Sequence, residues 1–183
     1  MKKGLIFLAN DVEDGEALFT RALLIRAGFE IDTATLNLDK RIVTAYGLKV
    51  EVDYLLSENN FKKYDFLIVP GGSYVSKQID KNEELIKLIQ DFEGKKKMIG
   101  AICAGPQFLA KAGVLKNKSY TAFSDVSKYD NTANYVPKLK AVTDDKVITA
   151  RGAGVIYEFV YEIIKYYQDE TAAKTLLEKI KHI

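Results

Sequence analysis

Cys103 is the residue on which chemistry can be built. It is the only cysteine of the 183 residues and stands in Gly100-Ala101-Ile102-Cys103-Ala104-Gly105-Pro106. Met98 to Ile102 reads as a buried strand, and helix character resumes at Ala104. Small residues sit two before the cysteine, Ala101, and two after it, Gly105. A nucleophile elbow needs that spacing, because its sharp turn leaves no room for larger neighbours. Pro106 suits a first helical turn, where a missing N–H costs little. A thiol at a helix start faces unpaired N–H groups and the positive dipole end, which favour thiolate. The competing reading is a buried structural cysteine. The strand-to-helix turn favours the reactive one.

Two other constellations bear on that thiol. Pro70-Gly71-Gly72 follows the apolar strand Phe66 to Val69. Its backbone amides could face the cysteine and hold a developing oxyanion, or the segment is a plain tight turn. Asp11-Val12-Glu13-Asp14-Gly15-Glu16 follows the first strand. A carboxyl there could move protons as acid and base beside a thiol. The same acids could simply favour the N-terminus of the next helix.

Several function classes find no support. The only histidine, His182, is the penultimate residue and reads as a surface residue on a helical tail, so a Cys–His pair within one subunit lacks its base. A zinc site would need several Cys, His or carboxylate ligands, so no metal is expected. No Walker A or G-x-G-x-x-G fingerprint occurs, so no cofactor is expected either. Net charge is +2, from 27 basic and 25 acidic side chains, which is no footprint for nucleic acid. Lys95-Lys96-Lys97 reads as a solvated turn. No apolar run approaches the roughly 20 residues that cross a bilayer. The absence of a disulfide framework and of a signal-peptide core favours the cytoplasm.

The elements that must position these residues follow from periodicity. Lys3 to Ala9 is a near-continuous apolar run, a strand buried on both faces. Glu16 to Ala27 reads as a helix with Gly28 past its end. Glu30 to Leu36 reads as a strand, and residues 41–52 as a hairpin around Tyr46-Gly47. Glu83 to Phe92 carries a helical apolar face. Two β pieces, Ala141 to Thr143 and Lys146 to Ala150, precede two closing helices. Their apolar faces hold Val155 to Ile164 and Ala172 to Ile180. Strands alternating with helices predict an α/β fold, a mostly parallel sheet covered on both faces. Ligands then bind at the carboxyl ends of the strands. No linker divides the chain, so residues 1–183 are expected to form one domain.

These residues carry a resemblance. Ala101-Ile102-Cys103-Ala104-Gly105-Pro106, Val69-Pro70-Gly71-Gly72, Arg26-Ala27-Gly28 and Arg151-Gly152 before the long apolar helix resemble the DJ-1/ThiJ/PfpI family, which shares its fold with class I glutamine amidotransferases. The resemblance implies a flavodoxin-like three-layer sandwich with a cysteine nucleophile elbow, and a homodimer. It makes Cys103 the nucleophile and oxidation-sensitive thiol. It makes Glu16 a protonated partner of the sulfur. The backbone around Gly71, Gly72 and Ala104 becomes the oxyanion site, with the N–H groups of Gly72 and Ala104 as donors. The implied activity is glyoxalase-type conversion of a small reactive aldehyde, methylglyoxal to lactate. The alternative is a redox-responsive stress protein or chaperone without turnover. PfpI-like peptide hydrolysis ranks below both, because Phe123 stands where many members carry histidine. Tyr46 replaces a family arginine near the hairpin, and Ala153 replaces a usual proline.

Overall fold

The computed structural model describes residues 1–58 and 60–182. Its framework is a seven-stranded sheet. Five strands carry the centre: β1 (Lys3–Phe7), β2 (Glu30–Thr35), β6 (Phe66–Val69), β7 (Met98–Ile102) and β11 (Val147–Ala150). The two-residue β5 (Tyr54–Leu55) and β10 (Ala141–Asp144) close the edges, in the order β10-β11-β7-β6-β1-β2-β5. All neighbours are parallel except β10 and β11. Parallel central strands are covered on both faces, so their sequences are apolar at successive positions rather than alternating. All four residues of β6 and all five of β7 are buried.

Two small pairings lie outside this sheet. β3 (Arg41–Val43) and β4 (Lys49–Glu51) form the antiparallel hairpin, and β8 (Ser119–Tyr120) pairs with β9 (Asn134–Tyr135). The hairpin was expected; β5, β8 and β9 were not.

Helices pack on the sheet in two groups. α1 (Thr20–Arg26), α5 (Ile156–Tyr167) and α6 (Glu170–Lys179) pack together. α3 (Glu83–Gly94) packs with α4 (Pro106–Lys111), and the short α2 (Tyr74–Gln78) follows β6. This is the flavodoxin-like sandwich expected. α3 buries Leu85, Leu88, Ile89 and Phe92, one helical face, and Asn82 caps it by accepting from Leu85 N at 3.1 Å. α5 buries Ile156, Phe159, Val160, Ile163 and Ile164. Phe159 reaches β7 where Gly100 leaves room: a Cβ there would stand 3.0 Å from the ring. No described helix is long and apolar enough to cross a membrane.

The strand order sets the site. The chain leaves β1 toward β2 and β5 on one side, then returns to β6 on the other. Between β1 and β6 the order reverses, and in open α/β sheets the crevice at such a point receives ligands. The loops after β1, β6 and β7 meet there.

Candidate active site

Cys103 ends β7 in the left-handed region, with φ 61°. A non-glycine residue there is strained by about 1–2 kcal/mol. Hydrogen bonds hold the strain in place: Cys103 N donates to Ala150 O at 2.9 Å, Phe123 N to Cys103 O at 2.8 Å, and Gly105 N to Ile102 O at 2.9 Å. The turn tolerates no side chain at Gly105, where a Cβ would stand 2.2 Å from Val69 O. The elbow spacing in the sequence therefore has its steric reason. α4 begins only at Pro106, so Ala104 and Gly105 belong to the turn rather than to the helix.

Glu16 comes from the loop after β1. Residues Gly15–Phe19 form a π-helical turn that leads into α1. Such wide turns carry an extra residue and are frequent at functional sites. Here the turn makes Glu16 fully buried, with no exposed surface. Its backbone N–H donates to Glu13 Oε2 at 2.6 Å, and its Oε2 accepts from Gly71 N at 2.8 Å. Its Oε1 is buried with no hydrogen-bond partner of regular geometry.

Four of the residues expected at the site converge on one point. A Cβ built on Gly71 would stand 2.6 Å from Glu16 Oε2, 2.7 Å from Cys103 Cβ and 2.9 Å from Ala104 N. Gly72 lies one residue further, at φ 121°, against the backbone of Asp11, Val12 and Glu13. Its N–H donates to no group among the described residues. Gly71 differs from expectation. Its N–H is engaged by the Glu16 carboxyl, so it is not a free donor for an oxyanion.

The electrostatics couple the two side chains. Burial pushes the Glu16 carboxyl up from 4.5 to about 7, and the charge of Glu13 adds to this. Hydrogen bonding from the Cys103 thiol, the Gly71 N–H and the Ala153 N–H opposes the rise. Burial also pushes the Cys103 thiol up, and the charge of Glu16 and its hydrogen bond act the same way. Only the Ala104 N–H pulls the thiol down. This corrects the sequence reading, in which the helix start lowers the thiol. α4 has six residues and starts three positions later, and one amide does not outweigh burial. Two of the upward causes vanish when Glu16 holds a proton. A thiolate at Cys103 therefore goes with a neutral Glu16, and the two groups titrate as a pair.

The other residues singled out in the sequence lie at the surface. Phe123 is 73% exposed while its backbone is tied to Cys103. Tyr46 is 81% exposed at the hairpin tip, its N–H on Asp14 Oδ2 at 3.2 Å. His182 is exposed, as expected, but stacks on Tyr157 at 3.8 Å between ring centroids. The amide of Ala153 was not anticipated as a contributor, because a backbone donor leaves no mark on sequence.

The description "DJ-1/PfpI family" matches residues 2–166. The chain belongs to the DJ-1/PfpI family. It is 30% identical over 180 residues to protein dj-1beta of Drosophila melanogaster, covering 98% of this chain and 94% of that one. The crystal structure of Drosophila DJ-1beta superposes with a TM-score of 0.89, over 98% of this chain and 97% of the other, at 28% identity. A third family member, named glutathione-independent glyoxalase DJR-1.2 from Caenorhabditis elegans, is 28% identical over 182 residues, 98% of this chain and 96% of its own.

Proposed function

We propose that this DJ-1/PfpI protein is a cofactor-independent cysteine enzyme that converts a small 2-oxoaldehyde to a 2-hydroxy acid, methylglyoxal to lactate. The observation that supports it is the buried Glu16 carboxyl, poised near pH 7 and coupled to the thiol of Cys103. A base tuned close to working pH is what proton abstraction next to a carbonyl requires. The name of the nematode relative points the same way.

The steps balance with water as the only co-reactant. The thiolate of Cys103 adds to the aldehyde carbon, and neutral Glu16 gives its proton to the new alkoxide. This forms a hemithioacetal and leaves Glu16 as carboxylate. The carboxylate removes the proton on the former aldehyde carbon, giving an enediolate; the hydroxyl proton moves to the neighbouring alkoxide oxygen, and Glu16 returns its proton to the carbon that bears that oxygen. A thioester on Cys103 results, and water cleaves it to the 2-hydroxy acid and the thiol. The N–H groups of Ala104 and Gly72 are the donors assigned to the developing oxyanion.

The test is methylglyoxal with purified protein and no glutathione, following lactate. Turnover that disappears in both Cys103→Ala and Glu16→Gln is the expected result. If lactate never forms, and mild peroxide cleanly adds about 32 Da (two oxygens on the thiol oxidation ladder), the enzyme reading is wrong and a non-catalytic oxidation sensor takes its place.

A further inference from the structure

Tyr74 is a titratable group, wholly buried, that the proposed reaction does not use. Its ring is clamped: Phe108 stacks on it at 5.9 Å and Phe7 lies tilted against it at 6.0 Å. Its hydroxyl donates to Pro70 O at 2.7 Å. The acceptor is informative. Pro70 C=O and Gly71 N–H belong to one planar peptide group, and that same N–H donates to Glu16 Oε2 at 2.8 Å. The two bonds share the amide. A donor on the carbonyl oxygen draws electron density out of the peptide and makes its N–H a stronger donor, the usual cooperativity of hydrogen-bond chains.

We infer that Tyr74 is a positioning residue that acts on Glu16 through the Pro70–Gly71 peptide, strengthening the amide that holds the carboxylate. The inference rests on the reading of Glu16 as the proton carrier for Cys103. Burial keeps the phenol protonated far above its ordinary range, so it stays a donor at every working pH. The charged form of Glu16 accepts from Gly71 more strongly than the neutral form does, so the chain lowers the pH at which Glu16 ionises. It opposes the desolvation and the Glu13 charge that raise that pH. The other hydrogen-bonding groups on the carboxyl are Cys103 and the Ala153 amide, and neither is bound to Tyr74. A hydroxyl that merely satisfied a buried carbonyl would fix the turn and leave the titration of Glu16 alone.

The readout is the titration of the Glu16 carboxyl carbon by NMR in ¹³C-glutamate protein, with the resonance assigned by its loss in Glu16→Gln. Tyr74→Phe removes the donor and keeps the ring packing. Its midpoint should rise by about 0.3 pH unit, the scale set by a 10–30% change in one charge-assisted bond. A 3-fluorotyrosine placed at position 74 makes the phenol a stronger donor, and the midpoint should fall. This second protein keeps every ring and decides the matter if Tyr74→Phe does not fold. Midpoints that agree within about 0.1 pH unit, a shift too small for the cooperativity invoked, overturn the inference. Lactate formation in the same samples separates the two readings. Turnover without a shift overturns the relay alone, whereas a shift without turnover overturns the enzyme and leaves the relay standing.

Discussion

Glu16→Gln should make the protein more stable at alkaline pH than at acid pH, relative to the natural chain. The folded-state carboxyl ionises at about 7 against an unfolded value of 4.5. Below 4.5 both states hold the proton and nothing is gained or lost. Between 4.5 and about 7 the folded state binds more protons, so its stability falls as pH rises. Above about 7 the loss is complete, at about 3 kcal/mol. Glu16 has no exposed surface, so solvent screening does not reduce this figure. Glutamine keeps the shape. Its carbonyl can still accept from Gly71 N, and its NH₂ replaces Oε1, which has no hydrogen-bond partner of regular geometry. The variant cannot ionise, so its advantage should be about 1 kcal/mol at pH 5 and about 3 kcal/mol at pH 8. For a chain of this length the difference corresponds to roughly 5–10 °C in melting temperature. Urea unfolding of both proteins at the two pH values measures it, and every titrating group not coupled to Glu16 cancels in the comparison. An equal gap at pH 5 and pH 8 would refute a buried carboxyl of raised pKa.

Gly71→Ala should drive Glu16, Cys103 and the Ala104 amide apart, because its Cβ would stand within 2.9 Å of each. Lactate formation should fall by about 100-fold or more, as displacements near 1 Å do to reacting groups. Gly94→Ala, at the end of α3 with open space around it, is the control and should leave turnover unchanged. Asp169 caps α6 by accepting from Ala172 N at 2.7 Å; Asp169→Ala should lower stability by about 1 kcal/mol in urea unfolding without touching the site. Val43, Tyr46 and Leu48 are exposed together on the hairpin, and we expect light scattering to give twice the 20.5 kDa chain mass, with Tyr46→Glu shifting it toward the monomer.

The acidic run after β1 shows where sequence reasoning reaches and where it stops. Asp11, Glu13, Asp14 and Glu16 look equivalent as helix-start charges, but the fold gives each a separate task. Asp11 accepts from Lys77 Nζ at 2.7 Å, Asp14 from Thr44 Oγ1 at 2.7 Å, and Glu13 holds the backbone of Glu16. Only Glu16 is swallowed, because the π-helical turn shifts the helix phase by a residue just where it starts. Periodicity over so short a stretch carries no sign of that shift, and the family resemblance alone singled the residue out. The central strands and the elbow were legible because their constraints are local: β6 and β7 are apolar throughout, and Gly105 has no room for a Cβ. β5, β8 and β9 were not, because two-residue strands exist only through distant partners. Tyr74 fails the same way, since its meaning lies in a carbonyl four residues back and a carboxyl from another loop. The thiol itself carries the sharpest correction. A cysteine before a helix invites a dipole argument, but α4 is short, starts late and leaves one amide on the sulfur. Burial outweighs that amide. What can turn Cys103 into a nucleophile is a proton parked on Glu16, which makes the carboxyl the element that governs the pair.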